Sequence, residues 1–96
     1  MFDVVIIGSG VIGLSIARSL AEKTSLTALI IEKEESYGRE TSSRNSEVIH
    51  SGIYYEKNSL KLKHCLDGKR LLYNYCKDNN IWVNNCGKLI IANNSQ

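Results

Sequence analysis

The sequence has no strong excess of charge of either sign, since 12 Lys and Arg residues oppose 10 Asp and Glu residues over 96 positions. An evenly spread net charge of +2 indicates neither a nucleic-acid surface nor a lipid surface. Charged residues at 23% and hydrophobic residues at 43% exclude disordered and collagen-like classes. The chain is therefore one small folding domain or a part of one.

Cysteine is scarce, and its spacing indicates no pairing. Cys65, Cys76 and Cys86 are odd in number and lie eleven and ten residues apart. This pattern fits neither a disulfide framework nor the C-x-x-C spacing of metal sites. We expect reduced thiols in a cytoplasmic chain with no metal site.

Long apolar runs are also missing. The first run, residues 2–7, stops at a glycine-rich turn, whereas a membrane span needs roughly twenty apolar residues. Met1 to Asp3 lack the basic stretch that opens a secretory signal. We expect no transmembrane segment and a mature N-terminus.

The first third of the chain predicts a βαβ unit. Residues 2–7 are a β-branched run, typical of a parallel strand covered on both faces. Apolar and small residues recur at helical spacing through residues 11–23, so this helix can press closely on a sheet. Residues 28–31 form a second buried-type strand that ends at Glu32. The crossover between the strands is expected to be right-handed.

The remaining segments complete the expected fold. Residues 33–47 are polar and predict a loop, either a solvated linker or a loop wrapped on a polar ligand. Residues 60–78 predict an amphipathic helix capped by Ser59. Residues 81–83 and 88–92 predict two strands of a short hairpin. The expected class is α/β: a Rossmann-like βαβ unit followed by a loop, a helix and a β-hairpin.

A glycine pattern lies between the first strand and the first helix. Gly8-Ser-Gly10-Val-Ile-Gly13 is G-x-G-x-x-G in the context that gives this motif its meaning. Gly8 allows a sharp turn, Gly10 avoids a collision between a Cβ and a pyrophosphate, and Gly13 lets the helix approach the strand. Free N–H groups at the helix start would face the phosphates. The residues predicted to bind a dinucleotide here are Gly8, Ser9, Gly10, Val11, Ile12 and Gly13.

Glu32 stands at the end of the second strand, nineteen residues after Gly13. Its carboxylate can accept hydrogen bonds from both hydroxyls of an adenosine ribose. FAD and NAD share this ADP half, so the turn leaves both cofactors open. Residues 41–46 offer hydroxyl, amide and guanidinium donors suited to the pyrophosphate and ribityl chain of FAD, and NAD has no ribityl chain.

The second motif brings a family resemblance. Together with the glycine turn, Thr41-Ser-Ser-Arg-Asn-Ser-Glu-Val-Ile-His-Ser-Gly-Ile-Tyr-Tyr55 resembles FAD-dependent oxidoreductases of the D-amino-acid oxidase and glycerol-3-phosphate dehydrogenase superfamily. It is most similar to the L-2-hydroxyglutarate dehydrogenases and oxidases, with Ser51 where alanine is more usual. The likeness continues through Gly68-Lys-Arg-Leu-Leu-Tyr73 and Cys86-Gly-Lys-Leu-Ile-Ile-Ala92. It covers nearly the whole chain but only the N-terminal part of the family's domain.

The resemblance implies a reaction and a site. A 2-hydroxy acid, L-2-hydroxyglutarate, gives its C2 hydride to flavin N5 while a base takes the hydroxyl proton, and 2-oxoglutarate forms. His50 is implied to lie beside the flavin ring as the catalytic residue, whereas His64 falls between charged neighbours on the predicted helix. The family's pattern does not imply covalent attachment of flavin through His50. The implied FAD contacts beyond the turn are Glu32, Lys33, Thr41, Ser42, Ser43, Arg44, Asn45, Ser46, His50 and Ser51.

Residues 1–96 are expected to be the N-terminal part of an FAD-binding domain, inactive alone, because the family's substrate domain lies outside this length. Two other readings stay open: an FAD-binding module or subunit of an amine or amino-acid oxidase, and a truncated, nonfunctional remnant. The electron acceptor, oxygen or quinone, is also open. A quinone-linked enzyme would be peripheral to a membrane.

Overall fold

The computed structural model describes residues 1–91 and residue 93, and these residues form a small α/β arrangement. The chain divides into two compact units, Met1–Val48 and Ile49–Gln96. The first unit holds strand β1, helix α1, strand β2 and a short 3-10 turn, and the second holds helix α2. In chain order the elements are β1 (Val4–Ile7), α1 (Val11–Lys23), β2 (Ala28–Ile31), the 3-10 turn (Thr41–Ser43) and α2 (Leu60–Asp78).

The first unit confirms the predicted βαβ order. Strands β1 and β2 pair in parallel, with Val4 opposite Ala28 and Ile7 opposite Ile31. Helix α1 connects the strands and packs on both of them. Parallel pairing needs such a crossover, since a tight turn can join only antiparallel strands.

Asp3 and Thr27 explain why β1 begins two residues later than predicted. The N–H groups of Asp3 and Val4 both donate to the Thr27 carbonyl, at 3.0 and 3.1 Å, so the regular ladder begins at Val4. The Asp3 carboxylate accepts hydrogen bonds from the Thr27 hydroxyl at 2.7 Å and the Thr27 N–H at 2.8 Å. These bonds lower the pKa of Asp3, the hydroxyl more than the N–H. They join the first residues of the two strands.

The expectation that the strands are covered on both faces is wrong for the described residues. Ile6 points to the face that α1 covers and is 8% exposed, whereas Ile7 on the opposite face is 87% exposed. Successive side chains of a strand alternate between faces, and one crossover helix covers only one of them. Three of the eight strand residues, Val5, Ile7 and Ile31, are therefore exposed.

Gly13 sets the distance between α1 and β1. A Cβ built on Gly13 would lie 2.1 Å from the carbonyl oxygen of Gly8 and 3.3 Å from a methyl carbon of Ile6. Real Cβ atoms do not approach a backbone oxygen so closely, so any larger residue would push the helix away from the strand. The predicted close approach at Gly13 is confirmed.

The second unit is organised by α2, whose predicted range and cap are confirmed. The Ser59 hydroxyl accepts a hydrogen bond from the Leu62 N–H at 3.1 Å. At the other end, Asn80 takes a positive φ of 55°, and the Ile81 N–H donates to the Cys76 carbonyl at 2.8 Å. This is a Schellman ending with asparagine where glycine is more common. Cys76 is the residue of α2 that becomes buried.

The predicted hairpin is wrong over the described residues. Residues 81–91 contain no strand, and Ala92, the last residue of the second predicted strand, lies outside the described part of the chain. Leu89 and Ile91 are 84% and 77% exposed. A two-stranded hairpin is marginal in water unless a third strand or a helix covers it, and here Trp82, like Leu89 and Ile91, stays largely exposed.

Two further expectations concern helices and thiols. Within residues 1–91 and 93, none of the helices has the length and apolar content that a bilayer crossing requires. The three cysteines are free thiols: Cys65 is half-buried, Cys76 is buried and Cys86 is exposed.

A substitution at Gly13 tests the packing of the first unit. We expect Gly13→Ala to destabilise the full-length protein by about 1–3 kcal/mol, because the new methyl group overlaps the Gly8 carbonyl. Thermal unfolding monitored by circular dichroism measures the change. Gly68→Ala on α2 is the matched control, since a Cβ there meets nothing within 4 Å, and alanine favours a helix by about 1 kcal/mol over glycine. Equal stability of the two variants would contradict the close approach.

Candidate functional site

A cleft of about 430 Å³ lies at the carboxyl ends of β1 and β2. Open α/β sheets bind ligands at this edge, where the loops after the strands converge. The cleft combines a glycine turn, three acidic residues (Glu32, Glu34 and Glu40), two basic residues and two hydroxyl residues. Its lining includes Gly8, Gly10, Glu32, Lys33, Arg39, Thr41 and Ser42.

The glycine turn opens the cleft and presents backbone donors. Gly8 has a φ of 97°, a conformation that side chains other than glycine rarely adopt, so the sharp turn predicted there is confirmed. The first turn of α1 contains no acidic residue, and the N–H groups of Ile12 and Gly13 have no acceptor among the described residues. The Val11 N–H donates to the Ser42 hydroxyl oxygen at 2.9 Å. These donors suit an anionic ligand at the helix N-terminus.

Glu32 joins the end of β2 to the glycine turn. One carboxylate oxygen accepts from the N–H and from the hydroxyl of Ser9, each at 2.7 Å. The other accepts from the N–H groups of Lys33 and Glu34, at 2.9 and 3.1 Å. A carboxylate offers about four acceptor positions, so this chain fills them all. A ribose diol at Glu32 would have to share or replace the contacts of Ser9.

The same hydrogen bonds control the ionisation of Glu32. They lower its pKa from 4.5 to about 2, and the Ser9 hydroxyl has the largest effect, followed by the Ser9 N–H. Hydrogen bonds to the charged form favour that form, which is the cause of the shift. Glu32 is therefore a carboxylate at any pH near neutral.

The loop after β2 folds back over the glycine turn. The Gly38 N–H donates to the Ser9 carbonyl at 3.1 Å, and the Lys33 ammonium pairs with the Glu40 carboxylate. The hydrogen bond to Glu40, reinforced by its charge, raises the pKa of Lys33. These contacts bring Thr41 and Ser42 to the cleft, which supports the ligand-loop interpretation of residues 33–47 over the linker interpretation.

Only part of the predicted donor loop reaches the cleft. Thr41 and Ser42 line it, whereas Ser43, Arg44, Asn45 and Ser46 do not. The Ser43 hydroxyl donates to the Glu40 carbonyl at 2.9 Å, and the Asn45 amide donates to the Ser42 carbonyl at 3.0 Å. Short polar side chains often bond to the backbone of their own turn, and this local bonding occupies two of the four residues.

Arg39 lines the cleft but was not selected from the sequence. Its guanidinium group adds positive charge to the lining of the cleft, which also contains Gly8 and Gly10 of the glycine turn. The available signal was its place in the polar loop, two residues before the hydroxyl-rich run that begins at Thr41.

The donor set of the cleft fits a dinucleotide. Unpaired N–H groups and an arginine suit the pyrophosphate, and the Glu32 carboxylate can accept from a ribose where Ser9 shares or gives up a contact. A Cβ on Gly10 would lie 3.0 Å from the Ser42 hydroxyl oxygen, so a larger side chain there would crowd the cleft. This geometry concerns the ADP half alone, which FAD and NAD share.

His50 lies in the second unit within a tight turn. Its Nδ1 accepts a hydrogen bond from the Gly52 N–H at 2.8 Å. The imidazole stacks on the Tyr55 ring with centroids 4.7 Å apart and planes 7° apart, and the Tyr54 ring meets it edge to face with centroids 6.4 Å apart. Ser51, which lies between His50 and Gly52 in the sequence, is exposed and makes no hydrogen bond within the described part of the chain. The ring of His50 is therefore held in one plane.

Side chains of helix α2 pack against the turn that holds His50. Gly52 is buried with a φ of 83°, and a Cβ there would lie 2.8 Å from a methyl carbon of Leu62. The Cys65 thiol lies 3.5 Å from the His50 Nδ1 and 3.4 Å from the His50 carbonyl oxygen. His64, by contrast, is exposed on α2 and has no hydrogen-bond partner among the described residues. The side chain of His50 is thus held by several neighbours, whereas that of His64 is not held by any described residue.

Comparison with protein families gives a match over almost the whole chain. Residues 3–96 match the family described as FAD dependent oxidoreductase, DAO. The match covers both units, and so includes the cleft at Glu32 and the turn at His50.

Several individual proteins that are similar to this chain are named L-2-hydroxyglutarate dehydrogenase. An L-2-hydroxyglutarate dehydrogenase designated mitochondrial from Arabidopsis thaliana is 50% identical over 97% of this chain and 19% of its own length. The human protein of the same name is 48% identical over 95% of this chain and 20% of its length. The L-2-hydroxyglutarate dehydrogenase of Indibacter alkaliphilus is 37% identical over 95% of this chain and 23% of its length. The chain thus spans about a fifth of the length of these relatives.

Titration of Glu32 tests the electrostatics of the cleft. In the ligand-free full-length protein we expect Glu32 to titrate at about 2, and Ser9→Ala to raise this pKa towards 4.5 because the largest stabilising hydrogen bond is lost. Since the folded-state pKa lies below the unfolded one, these bonds stabilise the fold above pH 4.5 and lose effect as the pH falls towards 2. Carbon NMR of labelled glutamate measures the titration.

Ser43→Ala is the control for that titration, because the Ser43 hydroxyl bonds to Glu40 and not to Glu32. It should leave the Glu32 titration where it is in the wild type. A wild-type Glu32 that titrates near 4.5 would contradict the hydrogen-bonded arrangement.

Proposed function

This chain belongs to the family of FAD-dependent oxidoreductases, and we propose that it is the N-terminal, FAD-binding part of an enzyme that oxidises L-2-hydroxyglutarate to 2-oxoglutarate. The observation that carries the proposal is a built dinucleotide cleft within a chain that shares 37–50% identity with L-2-hydroxyglutarate dehydrogenases. The identity extends over both units, including the segment around His50. An amine or amino-acid oxidase would share the cleft but not this set of relatives.

Residues of the first unit would hold the ADP half of FAD. The N–H groups at the start of α1 and the Arg39 guanidinium would bind the pyrophosphate, and Glu32 would bind the ribose. Thr41 and Ser42 offer hydroxyls at the same edge. Ser43, Arg44, Asn45, Ser46, His50 and Ser51 stay proposed contacts on the basis of the resemblance alone.

FAD supplies a hydride acceptor at N5 when it is bound. The contribution of this chain is to bind the cofactor, to orient it and to present a side chain to the substrate. We assign the last task to His50, whose ring is fixed by Gly52 and Tyr55. A histidine in this place can act as a base or as a hydrogen-bond donor.

Other parts of the assignment concern the setting of the enzyme. We propose that residues which bind the substrate carboxylates belong to a substrate domain beyond this chain. Oxygen and quinone both stay open as electron acceptors. The cytoplasmic location expected from the sequence stays a prediction, and the plant and human relatives carry a mitochondrial designation.

Reduction of the bound cofactor tests the proposed function. The purified full-length protein should show flavin absorption bands, and anaerobic addition of L-2-hydroxyglutarate should bleach them. The D-enantiomer and an L-amino acid are the matched controls and should leave the bands unchanged. If an amine or amino acid bleaches the bands and L-2-hydroxyglutarate does not, the protein is an amine or amino-acid oxidase instead. A purified protein that neither contains nor binds FAD would contradict the whole assignment.

A substitution at Glu32 tests the cofactor site separately from turnover. Glu32→Gln should weaken FAD binding roughly ten- to a hundredfold, because a charged acceptor for the ribose is lost. Fluorescence titration of the apoprotein with FAD measures the dissociation constant. Glu35→Gln removes a charge from the same loop at a residue that does not line the cleft, and should leave the constant unchanged. Equal affinities for both variants would return Glu32 to a purely structural role.

A further inference from the structure

The hydrogen bond between Gly52 and His50 determines where the imidazole carries its proton. A backbone N–H is only a donor, so the ring nitrogen that faces it at 2.8 Å must be the acceptor. That nitrogen is Nδ1, which therefore bears no hydrogen. A neutral imidazole has one N–H, and in His50 this N–H is at Nε2.

Rotating the ring by half a turn does not offer an alternative. It would replace Nδ1 by a carbon, and the Gly52 N–H would then point at a C–H group instead of an acceptor. Gly52 is buried against Leu62, so its N–H could not turn to water instead. A buried donor without a partner costs about 1–3 kcal/mol, and this cost selects the ring orientation that the structure shows.

Cys65 is consistent with the same assignment. Its sulfur lies 3.5 Å from Nδ1 and 3.4 Å from the His50 carbonyl oxygen. Both of these atoms are acceptors, so the single thiol hydrogen has a partner on either side. A hydrogen on Nδ1 would instead face the Gly52 N–H.

The other edge of the ring is open. His50 is an exposed residue, and Nε2 has no hydrogen-bond partner among residues 1–91 and 93. Stacking on Tyr55 at 4.7 Å fixes the plane in which Nε2–H points. The ammonium of Lys61 lies 4.4 Å from the centre of the Tyr55 ring on which His50 stacks. The turn thus presents one oriented N–H donor to whatever binds there.

On these contacts we propose that His50 donates a hydrogen bond from Nε2 to an oxygen of the 2-hydroxy acid and is not the base that takes its hydroxyl proton. The proposal rests on the function proposed above. Its acceptors are the oxygens of the substrate, a carboxylate or the C2 hydroxyl oxygen, and each accepts an N–H. A base at this position would need a bare nitrogen on the open edge, and the bare nitrogen faces Gly52.

Two substitutions separate a donor from a base. His50→Asn keeps an acceptor for the Gly52 N–H, because asparagine side chains bond to the N–H two residues later, but it removes the donor at Nε2. His50→Gln reaches further and can return an amide N–H near the position of Nε2. Neither side chain is a base. Turnover per bound flavin in the full-length enzyme therefore discriminates between the roles.

If His50 is a donor, His50→Asn should lower kcat/KM roughly ten- to a hundredfold, and His50→Gln should recover most of that loss. Because His50 is also a proposed FAD contact, the rates of both variants are normalised to bound flavin. Equal losses of about 10²–10⁴-fold in the two variants would instead identify a base and overturn the proposal. Wild-type kcat/KM in His50→Asn would overturn it as well, since the ring would then serve the turn alone.

Nitrogen NMR of labelled histidine in the FAD-free protein gives a second readout that needs no turnover. At a pH where His50 is neutral, we expect the proton at Nε2 and an unprotonated Nδ1. A proton at Nδ1 in an enzyme that oxidises L-2-hydroxyglutarate would overturn the role of His50 and leave the proposed function intact. A wild-type enzyme with the expected ring proton but no activity on 2-hydroxy acids would overturn the proposed function, and the substrate contact with it.

Discussion

The carboxylate of Glu32 is the interaction on which the first unit depends. Its four hydrogen bonds tie the end of β2 to Ser9 and to the first residues of the following loop. Ser9 is in turn 6% exposed, and its carbonyl receives the N–H of Gly38. One buried serine therefore connects three segments: the glycine turn, the tip of β2 and the loop that closes the cleft. The charge on Glu32 holds this junction together, which is why its pKa is low.

The second unit uses a backbone donor for a comparable purpose. Gly52 packs on Leu62 with a φ of 83°, which favours glycine, and its N–H orients the imidazole of His50. In each unit a backbone N–H in a glycine-containing turn donates a hydrogen bond to a titratable side chain: Ser9 donates to Glu32, and Gly52 donates to His50. The first arrangement keeps Glu32 charged as an acceptor, and the second directs the proton of His50 outward. Under the proposed function, the first contact serves cofactor binding and the second serves the chemistry.

The exposed apolar surface is a consequence of the fold as described. Strand residues such as Ile7 alternate onto a face that α1 does not reach, and the apolar residues after α2 remain in water. The matched relatives are about five times longer, and family membership therefore says more about the ADP half of the site than about the substrate. The substrate assignment rests on the named relatives, and the proposed role of His50 rests on that assignment.

Local sequence patterns were sufficient for β2, both helices, the Ser59 cap, the position of Glu32 and the tight contact at Gly13. Each of these follows from spacing and backbone chemistry within a few residues, or from one motif whose geometry is fixed by its glycines. The hairpin at residues 81–92 was not predictable in this way, because a strand forms only where another element pairs with it or covers it. The tertiary structure alone decided that Ser42 reaches the cleft while Arg44 does not, that Arg39 joins it, and that the bare nitrogen of His50 faces Gly52. These outcomes depend on which neighbour each polar group meets once the chain has folded.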